Sequence, residues 1–201
     1  MILPIYLYGT RIWDSPAKKI DTFDDKLVGL IRNMFETLRG ADGVGLSATQ
    51  VGLRVSLFVM DTSGMEGHED ESPLVVINPT ILSSSDEVET LEEGCLSIPG
   101  ISVEVTRPES IIARFMDGTF QAVEAEYSGT MGRVFQHEYD HLHQRFITDR
   151  VSILKRQILK PNLSKIKRGE VVTRYPVISL SDEKITGRSK VFDYDLREQM
   201  K

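Results

Sequence analysis

Three of the four histidines in this 201-residue chain fall between positions 137 and 143, in the run QHEYDHLH. Side chains four residues apart share one face of an α-helix, so His137 and His141 are spaced to aim two imidazoles at a single metal ion. Glu138 projects from the adjacent flank, where its carboxylate reaches a water on that metal rather than the metal itself. This is the physical content of HExxH, a pattern that surface helices binding nothing also produce. Two imidazoles alone do not make a hydrolytic site, which needs a third protein ligand and an open fourth position. Among soft ligands the chain offers only Cys95, its single cysteine, within EEGCLSIPG. One cysteine allows no internal disulfide, which excludes a disulfide-stapled secreted fold and leaves ligation or a buried core thiol as its uses. Gly94 and Pro99 bracket a short extended segment able to present a thiolate beside backbone N–H groups.

A third segment, GVGLSATQ at residues 43–50, lies between a helix pattern and a strand pattern. It lacks the Lys-Ser/Thr end of a phosphate loop and does not complete a dinucleotide-binding glycine motif. Gly43 and Gly45 allow backbone to approach a ligand closely, and the Gln50 amide can donate to a developing oxyanion. Taken alone, the segment reads better as a plain glycine turn.

In this order, GVGLSATQ, EGCLS and QHEYDH resemble the three signature motifs of peptide deformylases, the enzymes that remove formyl from the N-terminal methionine of new bacterial polypeptides. The resemblance implies that Cys95, His137 and His141 hold one divalent ion, with Fe²⁺ the commonest in the cell and Zn²⁺ or other divalent ions accommodated. It implies Glu138 as the acid/base, Gln50 with the Leu96 N–H as the oxyanion site, and Gly45 as a partner of the substrate backbone. By position, Val44, Leu91 and Val134 are candidates for the methionine pocket. The implied substrates are N-formylmethionyl polypeptides near the ribosome, and the products are formate and a free N-terminus. The likeness runs to about residue 168, which divides the chain into a catalytic domain, 1–168, and a C-terminal extension, 169–201, with an edge strand and a polar tail. Two positions depart from the family pattern: Ser47 stands where Ala is usual, and Gln144 where Gly usually follows the third motif. Neither removes a ligand or the base. Two rival readings share some of these residues. An HExxH endopeptidase commonly draws its third ligand from a downstream His or Glu, and no His follows His143. A closed structural zinc site would recruit His68 or His143 as a fourth ligand.

These residues need a scaffold, and the rest of the chain supplies its pattern. Length and a 40% hydrophobic content suit one soluble domain. A net charge of −6, from 30 acidic and 24 basic residues, disfavours general attraction to nucleic acid or an anionic membrane. MILPIYLYG lacks a basic flank, and no apolar run approaches the roughly 20 residues of a membrane span, so a cytoplasmic location is expected. Residues 22–39 carry helical spacing, with a capping pattern at Thr22 and Asp25 and a stop at Gly40. Strand patterns occupy 54–61, 74–82, 101–105, 110–116 and 119–127, the last two joined by a tight turn at Asp117-Gly118. His68 is expected to be solvated in the polar loop between the first two. Residues 128–143 return to helical spacing and carry HEYDH, and a basic amphipathic stretch follows, in which Pro161 should kink or divide a helix. RYPVISL reads as an edge strand, and the remaining tail carries no clear periodicity. The expected architecture is α+β, with antiparallel strands packed around a central helix carrying HExxH.

Overall fold

A computed structural model describes residues 1–182. The fold is α+β, as the strand and helix patterns predict. Its largest sheet has five antiparallel strands in the order β2 (Gly45–Ser47), β3 (Leu57–Met60), β4 (Leu74–Ser84), β7 (Ser110–Met116) and β8 (Ala122–Ser128). A separate antiparallel hairpin is formed by β5 (Val88–Gly94) and β6 (Ser102–Pro108), and a short parallel pair joins β1 (Ile5–Tyr6) to β9 (Val177–Ile178). Beside three short 3-10 helices, the described residues form three α-helices: α1 (Asp25–Gly40), α2 (Gly129–Leu142) and α3 (Ile153–Arg168).

The α2 helix, which carries HEYDH, lies against the five-stranded sheet because its apolar stripe matches the sheet's inner face. Val134, Phe135 and Leu142 pack with Phe58, Val76, Ile111, Ala113 and Phe115, and the Phe135 ring meets Phe58 edge-on at 5.0 Å. Along β7 the alternation buries Ile111, Ala113 and Phe115 and exposes the residues between them, as a sheet with one solvated face requires. The α1 helix covers another part of the core through Leu27, Leu30, Met34 and Leu38. The buried faces of α1 and α2 thus hold β2, the strand from GVGLSATQ, between them.

Several sequence expectations change in detail. The α1 cap is Asp24 rather than Thr22, because the Asp24 carboxylate accepts the Leu27 N–H at 2.8 Å. Asp117-Gly118 is not a two-residue turn. The loop runs through Phe120, which takes the left-handed conformation (φ 60°), and Asp117 Oδ1 accepts the N–H groups of Thr119 and Gln121. Pro161 does not divide α3, which is continuous from Ser152, its N-cap, to Gly169; the proline lies on the exposed side, and only Leu163 and Ile166 are buried. His68 is only partly exposed, bonded through Nδ1 to Glu71 and through Nε2 to Thr130. Strands β1, β2 and β5 are elements that the pattern missed. RYPVISL does form an edge strand, β9, while residues 183–201, read as a polar tail, lie outside the described residues.

Close approach between α2 and β8 depends on Gly132, where a Cβ would fall 2.7 Å from the Tyr127 carbonyl oxygen. Gly132→Ala must push helix from strand, and we expect it to destabilise the fold by about 1–3 kcal/mol. Urea titration reads this as a lower midpoint, and an unchanged midpoint would contradict the close-packed account.

Candidate active site

Cys95 follows β5 directly, and the two histidines sit one turn apart on α2. The fold brings one ligand atom from each of Cys95, His137 and His141 within 4.8 Å of the others. Cys95 Sγ lies 3.2 Å from His141 Nε2. Each imidazole is oriented through its other nitrogen: His137 Nδ1 donates to Glu93 Oε2 at 2.9 Å, and His141 Nδ1 donates to the Arg145 carbonyl at 3.0 Å. A carboxylate and a carbonyl only accept, so on each ring Nδ1 carries a proton and Nε2 is the nitrogen left to meet a metal. Trp13 and Phe146 pack beside the His141 ring. One thiolate and two neutral imidazoles are a donor set suited to Zn²⁺ or Fe²⁺, and three inward-facing donors fit a single ion.

Protonation follows burial and charge. Burial, with the neighbouring positive His137, lowers His141 to about 3, so it is neutral at physiological pH. Burial also opposes a proton on His137, but the Cys95 and Glu93 contacts outweigh it and raise that group well above its ordinary value. An ion seated there would therefore displace a proton. Glu138 is raised to about 7 by burial, against the lowering effect of His137 and Arg107. Its Oε2 is buried without a hydrogen-bond partner, and the residue lines the cleft. A Cβ at Gly45 would fall 2.6 Å from the other carboxylate oxygen, so only glycine lets β2 pass this close to Glu138.

The cleft measures about 680 Å³, and Val44, Gly45, Gln50, Leu91, Leu96 and Val134 all line it with Cys95, His137 and Glu138. His141 sits behind that surface, almost fully buried. The Gln50 side chain is fixed at its carbonyl end, where Oε1 accepts the Ser47 N–H at 2.8 Å and the Ser47 hydroxyl at 3.1 Å. Its Nε2 consequently faces Ser97 Oγ at 3.4 Å and the Cys95 sulfur at 3.9 Å. The hydroxyl of Ser47 is thus turned to Gln50 and Thr49. Gln144 adopts φ 61°, the left-handed conformation that glycine takes without strain, and its amide donates to the Trp13 carbonyl at 2.8 Å. Neither His68 nor His143 joins the cluster, since His143 Nδ1 donates to the Tyr139 carbonyl on the exposed side of α2.

Sequence reasoning missed the network behind these donors. Arg107, on β6, donates from Nε and Nη2 to both oxygens of Glu93, at 2.7 and 2.9 Å, and from Nη1 to Asp140 Oδ2 at 2.7 Å. Arg133 adds a bond to Glu93 Oε1, and Arg150 pairs with Asp140. Burial acts to raise both carboxylates, but these guanidinium contacts, with His137 on Glu93, prevail and hold both below the ordinary carboxylate range. The available signal was the alternation Val103, Val105, Arg107, which continues the buried face of β6 past residue 105 and puts a charge where an apolar residue is expected.

The polypeptide deformylase family model matches residues 2–157. The peptide deformylase of Chlorobium phaeobacteroides (strain BS1) is 42% identical over 177 residues, covering 88% of this chain and 95% of that protein. That of Salinibacter ruber is 39% identical over 195 residues, covering 94% of this chain and all (100%) of that protein. The crystal structure of a peptide deformylase from Legionella pneumophila superposes with a TM-score of 0.76 at 35% identity, over 85% of this chain and 98% of that one.

Because the His137 ring is steered by a carboxylate, Glu93→Gln should weaken metal binding by about 10–100-fold. Competition against a chromogenic chelator measures this, and wild-type affinity in the variant would contradict the orienting role of Glu93.

Proposed function

The chain belongs to the polypeptide deformylase family, and on that premise we propose that it deformylates N-formylmethionyl polypeptides with one divalent ion held by Cys95, His137 and His141 and with Glu138 as acid/base. The observation that carries this reading is the convergence of those three donors beside a buried carboxylate oxygen with no partner. A divalent ion in that cradle would supply Lewis acidity toward water and the formyl carbonyl. Glu138 takes a proton from the attacking water as the new C–O bond forms, and returns it to the amine nitrogen as the C–N bond breaks. Its elevated pKa, about 7, suits a group that must both accept and donate near neutrality. Formate and a free methionine N-terminus result. Gln50 Nε2, aimed by Ser47, and the Leu96 N–H donate to the oxyanion.

The substrate's path follows from strand order. β2 is an edge of its sheet, so the backbone of Gly45 can pair with an extended peptide while the side chains beyond the first residue remain free to vary. Val44, Leu91 and Val134 offer apolar walls to the methionine side chain. We assign residues 1–168 to the catalytic unit and 169–201 to an extension, Fe²⁺ as the cellular metal with Zn²⁺ able to replace it, and chains emerging from the ribosome as the substrates, which carries with it a cytoplasmic location. Among the described residues no helix is long and apolar enough to cross a membrane.

The test uses protein purified anaerobically, loaded with Fe²⁺ or Zn²⁺, and offered formyl-Met and acetyl-Met peptides. Formate should be released, faster with Fe²⁺, and the acetyl peptide should resist. Glu138→Gln should keep its metal and lose activity by about 10²-fold or more. Cleavage of internal peptide bonds without formate release would favour the endopeptidase reading, and normal turnover by the variant would reject Glu138 as the base.

A further inference from the structure

Past α3 the chain turns back onto the cleft. Gly169, at φ 78°, ends the helix, and the strap that follows brings Val172, Thr173, Arg174 and Tyr175 to the same cavity as Cys95 and Glu138. The far end of this strap is held, where β9 pairs with β1 through Ile5–Val177 and Tyr6–Ile178. Within the strap, the Thr173 hydroxyl donates to the Tyr175 carbonyl at 2.7 Å. The Tyr175 hydroxyl reaches further in and donates to the Leu96 carbonyl at 2.8 Å. Burial, with the Cys95 charge nearby, pushes the phenol up to about 12, so it stays a donor at any physiological pH.

Leu96 belongs to a turn whose carbonyls are all engaged. The Cys95 carbonyl accepts the Ile98 N–H at 2.9 Å, the Ser97 carbonyl accepts the Tyr8 N–H at 2.9 Å, and the Leu96 carbonyl accepts from Tyr175. The two peptide planes flanking the Leu96 Cα are therefore each held by a hydrogen bond at the carbonyl, one by the turn itself and one by the strap. The Leu96 N–H lies in the first of these planes, opposite the Cys95 carbonyl, so the turn's own bond aims it, and the Tyr175 bond pins the second plane and keeps the turn from rocking about the Leu96 Cα.

We propose that Tyr175 is a positioning residue for deformylation: by holding the Leu96 carbonyl, it pins the turn whose Cys95–Leu96 peptide presents the Leu96 N–H to the developing oxyanion. The proposal rests on the reading of Leu96 as an oxyanion donor. It gives the strap between α3 and β9 a part in the chemistry, although the strap lies beyond the three motifs.

The test is Tyr175→Phe in the full chain, which keeps the ring and removes one bond. An oxyanion donor acts on charge present only in the transition state, so its misalignment falls on kcat rather than on substrate binding. With a formyl-Met tripeptide, kcat should fall about 3- to 10-fold, the effect of one ordinary hydrogen bond, while KM stays within about twofold. Bound metal and the thermal midpoint should match the wild type. An unchanged kcat overturns the proposal. So does a loss of rate that tracks lost metal, a lower midpoint or a raised KM, since each marks a structural or binding role instead. A wild-type enzyme that releases no formate overturns the deformylase reading and this proposal with it, whereas an active wild type matched by its variant overturns this proposal alone.

Discussion

The guanidinium of Arg107, 2% exposed, lies between two carboxylates from different elements, Glu93 of β5 and Asp140 of α2. An ion that deep is tolerated only where its donors are satisfied, and removing one partner of such a group typically costs about 3–5 kcal/mol because the remaining charge is stranded. The network therefore acts as a clamp between the β5–β6 hairpin and α2. Each metal-directed donor is attached to it closely. Cys95 lies two residues beyond Glu93, His137 is bonded to Glu93, and His141 is the neighbour of Asp140. Hairpin and helix belong to different packing groups, so apolar contact alone would let them slide, and directional bonds fix their register.

The same clamp shapes the electrostatics of the cleft. Arg107, with Arg133, keeps Glu93 ionised in a dry environment, and the ionised carboxylate in turn holds a proton on His137 Nδ1. Glu138, one residue further along α2, has no such guanidinium bond and moves in the opposite direction, towards a value near neutrality. Two buried glutamates within one site are thus driven apart by their partners, one into a permanent anion that orients and the other into a group able to exchange protons.

Much of this was legible in the sequence, for physical reasons that differ by residue. His137 and His141 were legible because helical periodicity fixes their common face without knowledge of the fold, and Cys95 because no other thiol exists. The apolar stripe of α2 predicted which side of that helix is covered. Strand β5 was hidden because VETLEEG has only two large apolar residues, Val88 and Leu91, both exposed, and only Glu93 is buried. Arg107 and Asp140 were hidden because a buried ion pair looks, in one dimension, like two ordinary surface charges. Tyr175 could not be read at all, since its partner is a backbone carbonyl 79 residues away. The two departures from the motif pattern, Ser47 and Gln144, turn out to be local exchanges: a hydroxyl that reinforces the Gln50 amide, and a side-chain bond that offsets a left-handed residue.

The central claim is that this clamp aims one sulfur and two imidazole nitrogens at a single ion. X-ray absorption at the metal edge, on protein loaded with one equivalent of Zn²⁺, measures that shell directly. The account predicts one sulfur at about 2.3 Å and two nitrogens at about 2.0–2.1 Å, with a light atom completing four-coordination. A shell of nitrogen and oxygen alone, without sulfur, would contradict it.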